Sequence, residues 1–273
     1  ASGLASSALG FRNKAANENA SAVGYGNTAG GVASSAFGFS NVAKVDYASA
    51  FGYSNEASGL ASSAVGFRNK AASENASAVG YGNNANALAA SAVGYNNTAG
   101  GVGSSTIGYN NTATNENASA FGYGNTAGGL ASSAFGFSNT ASGDNANAFG
   151  YNNIASGSKS NVFGTGNTVS GSSSTAVGTA NEVAAENSTA IGNNNTISSG
   201  AENSAALGNN ISISLKDSVA LGNNSTATAI NSVTGNSSYT KWAGVSDVVG
   251  VVSVGSSGAT RQIQNVAAGQ VSA

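Results

Sequence analysis

The residues able to do chemistry in this 273-residue chain are few and spread out. Eleven acidic and nine basic residues give a net charge of −2, and there is no His, Cys, Met or Pro. Without His or Cys there is no zinc finger, haem ligand, disulfide framework or Ser-His-Asp triad. The carboxylates run from Glu18 to Asp247 without clustering in sequence. Glu18, Glu74 and Glu116 recur eight residues after a repeated Gly. Glu18 and Glu74 then stand four repeats apart, roughly 19 Å at sheet spacing, too far for a glycosidase pair. Calcium-binding nonapeptides would need a regular Asp that is missing. The reading is therefore no enzyme, no catalytic residue, no metal and no cofactor. Basic residues form no run, so no nucleic-acid partner is expected. No stretch of 18 apolar residues is present to span a membrane.

The elements that must position any functional side chain follow from a repeat. Gly10, Gly24, Gly38 and every fourteenth residue to Gly192 end a small-residue string closed by an apolar residue; Gly208, after a two-residue insertion, and Gly222 continue it. That makes 16 units. The residue before the Gly is always Leu, Val, Ile or Phe; the one before that is Ala, except Thr106 and Val162. Three after the Gly stands Asn in the first fourteen units, Asn13 to Asn195. Gly in every unit and scarce Lys and Glu argue against paired heptads. Two short strands and two tight turns per unit fit instead, which makes each unit one coil of a parallel β-solenoid. One strand is the Ser21–Val23 segment, followed by a turn at Gly24–Asn27; the other passes through the apolar residue five after the Gly. Sixteen coils at strand spacing span roughly 75–80 Å. The Asn column either pairs amides from coil to coil or supplies separate positive-φ turn residues. A roll this thin and rich in Ala buries little, so side-by-side association is expected to supply the missing area. The bulky residue before the Gly (Val23, Phe37, Val79) is expected to fill the roll. The Ala before it (Ala22, Ala36, Ala78) is expected to admit a neighbouring chain.

Units such as Ser77-Ala78-Val79-Gly80, and Ser218 to Ser225, resemble the YadA-type head repeats of trimeric autotransporter adhesins over about residues 1–228. Val251 to Gly258, with Arg261-Gln262-Ile263-Gln264-Asn265-Val266-Ala267-Ala268-Gly269, is similar to the neck that joins such heads to a stalk. The resemblance implies an all-β, left-handed parallel β-roll of 14-residue coils in a side-by-side homotrimer with a C-terminal neck. It divides the chain into a head (1–228), an insertion carrying Trp242 (229–250) and a neck (251–273), with helix confined to the last residues. It further implies display on a bacterial surface by an outer-membrane anchor not contained in this sequence. Adhesion would be to host matrix proteins (collagen, fibronectin or laminin) or to host cell receptors. Two features depart from many heads of this kind: Ser rather than Val or Ile three before the Gly, and an aromatic after it.

That aromatic column holds Phe11, Tyr25, Phe39, Tyr53, Phe67, Tyr81, Tyr95, Tyr109, Tyr123, Phe137 and Tyr151. Its seven tyrosines are the candidate ligand contacts, as a stripe able to engage an extended protein or glycan. The competing reading is ladder packing that shields a turn or the chain–chain seam. Trp242, Arg261, Ile263 and Val266 are candidate trimer and neck packing residues, with Arg261 expected to reach a carbonyl or carboxylate of another chain. Low charge predicts weak electrostatic steering, so binding should grow with coil number and respond little to salt. Two other classes compete with the adhesin: a spacer that projects another domain, and a polysaccharide-acting solenoid enzyme. An ice-binding solenoid would want Thr at one offset throughout, which no offset supplies.

Overall fold

The computed structural model describes residues 1–230 and 249–264. Each of sixteen coils contributes a long strand, such as Ser21–Tyr25, and a two-residue strand, such as Thr28–Ala29. Long strands pair in parallel with their equivalents one coil on, Ser21 opposite Ser35 and Tyr25 opposite Phe39, and this register runs through the roll. The short strands stack likewise into a 16-stranded sheet. The two-residue insertion is absorbed in the turn around Ser198–Ala201, so Thr189 pairs with Ala205 and phase resumes. Among the described residues there is no helix. The helix expected in the last neck-to-stalk residues is not present as far as Gln264, and residues 265–273 lie outside the described ones.

The long strand continues through the aromatic, so the first turn is tighter than the sequence reading placed it. Two positions after the Gly the chain is left-handed, as at Arg12 (φ 58°), Ser40 (φ 54°) and Asn96 (φ 57°). The repeated Gly itself carries φ of +108° at Gly10 and +119° at Gly94. A Cβ on Gly94 would meet the Gly108 carbonyl oxygen at 2.1 Å. Only Gly combines that φ with so close an approach between coils.

The interior reverses one expectation. Ala22, Ala36, Ala78 and their equivalents are fully buried, as are the Ala residues five after the Gly. The bulky residue between Ala and Gly stands outside, with Ile107 45% and Phe163 41% exposed. Strand alternation permits only one of the two neighbours to face in. A perimeter of fourteen residues with two sharp turns brings the sheets so close that methyls and amides fill the space. The buried Ala residues form two clusters, Ala15–Ala99 and Ala113–Ala227, parted at the coil where buried Ser104 and Thr106 interrupt the apolar set.

The Asn column is a buried amide ladder rather than a set of independent turn residues. Asn97 Nδ2 donates to Asn83 Oδ1 (3.0 Å), Val93 O (3.0 Å) and Gly108 O (2.7 Å). Its own Oδ1 accepts from the backbone N–H (2.9 Å) and Nδ2 (3.0 Å) of Asn111. Each amide thereby satisfies turn carbonyls that burial would otherwise leave unpaired. The ladder ends where Ile211 N donates to Asn195 Oδ1 at 3.0 Å.

After the insertion the chain returns to the roll. Val252–Ser253 pairs in parallel with Val219 and Ala220, and Thr226 N donates to Gly255 O at 3.0 Å.

Candidate functional site

Two side-chain columns run along the outside of the long-strand sheet, flanking the column of Gly residues. The column before the Gly is aliphatic and aromatic, with Phe37 stacked on Phe51 at 5.1 Å and Phe121 on Phe135 at 4.8 Å. The column after it is the aromatic series from Phe11 to Tyr151. Its ring centroids are 4.7 Å apart at Tyr81–Tyr95, 4.8 Å at Tyr109–Tyr123 and 5.3 Å at Phe11–Tyr25. Parallel strand register forces this stacking, because identical positions repeat at the inter-strand distance. Each ring face is covered by the next ring, and ring edges and hydroxyls point outward. Tyr25 is 39% and Tyr151 53% exposed.

All seven candidate tyrosines lie on this one column. Tyr81, Tyr95, Tyr109 and Tyr123 are consecutive; Tyr25 and Tyr53 alternate with Phe39 and Phe67; Tyr151 follows Phe137. Arg261 does reach carbonyls, but within its own chain: its guanidinium donates to Val254 O (2.9 Å), Asn223 O (2.5 Å) and Ser225 Oγ (3.2 Å). It ties the returning segment to the last coil and lies against Gly222. Ile263 is exposed. Trp242 and Val266 lie outside the described residues.

Sequence order concealed how the charges sort. Asp46, Asp144, Glu186 and, past the insertion, Glu202 join Glu18, Glu74 and Glu116 in one column at the second turn, as the turn bonds of Ala33, Ala61 and Asn203 to its carbonyls show. Leu or Val occupies each of its remaining steps in the first ten coils. Asp46 Oδ1 accepts from Val32 N (2.7 Å) and Asp144 Oδ1 from Leu130 N (2.9 Å), so both serve the turn. The signal in the sequence is a shared offset: ordering the acids by distance from the repeated Gly yields the same column. Among the described residues, no group of three or more acids is placed to hold a metal ion. Among the described residues, no helix is long and apolar enough to cross a membrane.

The stacked roll carries its aromatic, apolar and charged columns on the outside, along its length. The family model for the YadA head domain repeat (2 copies) matches residues 1–27, 29–55, 57–83, 99–125, 127–153, 170–195 and 216–233, well over half the chain. The chain belongs to the YadA head family, a family of cell-surface adhesins rather than of enzymes. No curated protein matches it.

Proposed function

We propose that this chain is the head of a trimeric adhesin in which three rolls associate through the outer side of their long-strand sheets. The observation that carries this reading is the unbroken column of large apolar side chains outside the coil, from Leu9 to Leu221. A continuous apolar ridge of this length is unusual on a monomer and marks an association surface. The bulky column forms the seam, reversing the roles that the sequence reading gave it and the neighbouring Ala. The tyrosine column borders the seam, with Tyr25, Tyr53, Tyr81, Tyr95, Tyr109, Tyr123 and Tyr151 presenting hydroxyls and ring edges to ligand. Family membership supports host binding and outer-membrane display in general; collagen, fibronectin, laminin or a cell receptor are the ligands to be tested. Weak equivalent contacts summed along three chains would give avidity about 10²–10⁴ above that of one site.

A screen of the purified chain against matrix proteins, followed by deletion of four coils at a time, tests this. Binding that falls in proportion to the coils removed supports the repeated surface. Total loss on deleting one block alone would mean a single epitope and would overturn it.

A further inference from the structure

Five of the nine basic residues lie in the first five coils, and the fold brings them to one side. Arg12 and Arg68 occupy the left-handed corner position after the aromatic; Lys14, Lys70 and Lys44 flank the buried Ala of the short strands. All five are exposed. In coil order they stand at the first (Arg12, Lys14), third (Lys44) and fifth (Arg68, Lys70) coils, a step of two coils or roughly 9–10 Å. The guanidinium carbons of Arg12 and Arg68 lie 5.2 Å from the ring centroids of Phe11 and Phe67, which holds both cations at the corner. Most acids of these coils lie elsewhere. Glu18, Asp46 and Glu74 are on the second-turn column, and Glu56, opposite Lys70 in register, is the only one of them on the short-strand side.

We propose that the short-strand side of the first five coils binds a linear sulfated polysaccharide laid along the roll axis. Charge complementarity selects a polyanion, and spacing selects its kind. One to two cations every ~10 Å match a polymer with a few sulfates or carboxylates per disaccharide, whereas duplex DNA carries a charge about every 1.7 Å. The short-strand side also lacks the aromatic platform on which nucleic-acid bases stack. It lies across the coil from the apolar seam, so a trimer would present three such tracks. The assignment gives the adhesin reading a second ligand class, and it is separable from that reading because its test changes no tyrosine and no residue of the seam.

The experiment measures binding of the purified full chain to immobilised heparin and chondroitin sulfate at about 0.05 and 0.15 M salt. The variant R12N/K14T/K44S/R68N/K70T uses only residues found at the same offsets in other coils, which preserves the fold. The expected result is salt-sensitive binding that this variant weakens about tenfold or more at 0.15 M salt. K159N/K216Q should bind as the parent does. E56T should tighten binding, while E116S, the same change in net charge on the far column, should not. The proposal is overturned if the parent binds neither polymer, or if the five-site variant binds unchanged. Equal weakening by K159N/K216Q, or competition by duplex DNA as strong as by free heparin, would also overturn it.

Discussion

In the coils from Gly10 to Gly150 the interior holds Ala and Asn while large rings stand outside. In the coils from Gly164 to Gly222 bulk moves inward: Val162, Val169, Val183, Ile197, Ile211 and Ile213 are fully buried. The outer aromatic column gives way over the same coils to Thr165, Thr179, Asn193, Asn209 and Asn223. An amide ladder takes the place of the rings, with Asn193 Nδ2 donating to Asn209 Oδ1 (2.8 Å) and Asn209 Nδ2 to Asn223 Oδ1 (2.9 Å). The buried ladder meanwhile stops at Asn195, and aliphatic Ile211 takes the next step. The first eleven coils carry rings outside an interior of Ala and Asn; the last five add buried aliphatics beside the inner ladder, which runs to Asn195, and from Asn193 carry amides outside. Each coil needs stacking contacts with the next, and the chain supplies them on whichever side of the wall has room. Each added interior methylene is worth about 0.8 kcal/mol, so the C-terminal coils depend less on what covers them.

Substitutions that block stacking should act most strongly and in both regions. Gly94→Val places branched carbon against the Gly108 carbonyl and should cost about 3 kcal/mol or more. Gly166→Ala, at a left-handed corner with nothing within 4 Å, should cost about 1–2 kcal/mol. Thermal unfolding of the two variants checks the contrast. Equal effects would show that φ, not the close approach of coils, fixes the repeated Gly.

Ile213→Ala should destabilise by about 2–5 kcal/mol through the cavity it leaves, with hydrogen-exchange protection lost first in the C-terminal coils. A loss spread evenly along the roll would contradict the division into two interiors.

The amide ladders should differ by location. Asn97→Ala removes a buried group bonded to both neighbouring coils and should cost about 1–3 kcal/mol. Asn209→Ala breaks a ladder exposed to water and should stay within about 0.5 kcal/mol. Denaturant midpoints of the two variants check this, and similar shifts would remove the distinction between inner and outer ladders.

The coil count, the two strands per coil and the positions of the repeated residues were legible in the 14-residue phase, because parallel stacking turns sequence period directly into spatial register. The Asn ladder was open on sequence alone, since Asn serves left-handed turns as well as amide stacks. Which of Ala22 and Val23 faces inward was misread. Burial of large apolar groups is the usual guide, and it fails where the enclosed section is this narrow. Arg261 bonds to carbonyls of its own chain, Val254 and Asn223, contacts that sequence order hides because thirty-eight positions separate Asn223 from Arg261. The sorted acids and bases needed only the offset from the repeated Gly to become visible. Sequence order alone separated neighbours such as Lys14 and Lys44, two coils apart, by thirty positions.

The central claim is that the outer ridge before the Gly is a seam between chains. Light scattering of the purified chain tests it most directly, with V79K/V93K as the variant that places charge on the ridge without touching the interior. Three chains of 26.1 kDa give about 78 kDa, the mass expected for the parent, with a shift toward 26.1 kDa for the variant. A parent that scatters as 26.1 kDa at micromolar concentration, or a variant that stays at the mass of three chains, would contradict the account.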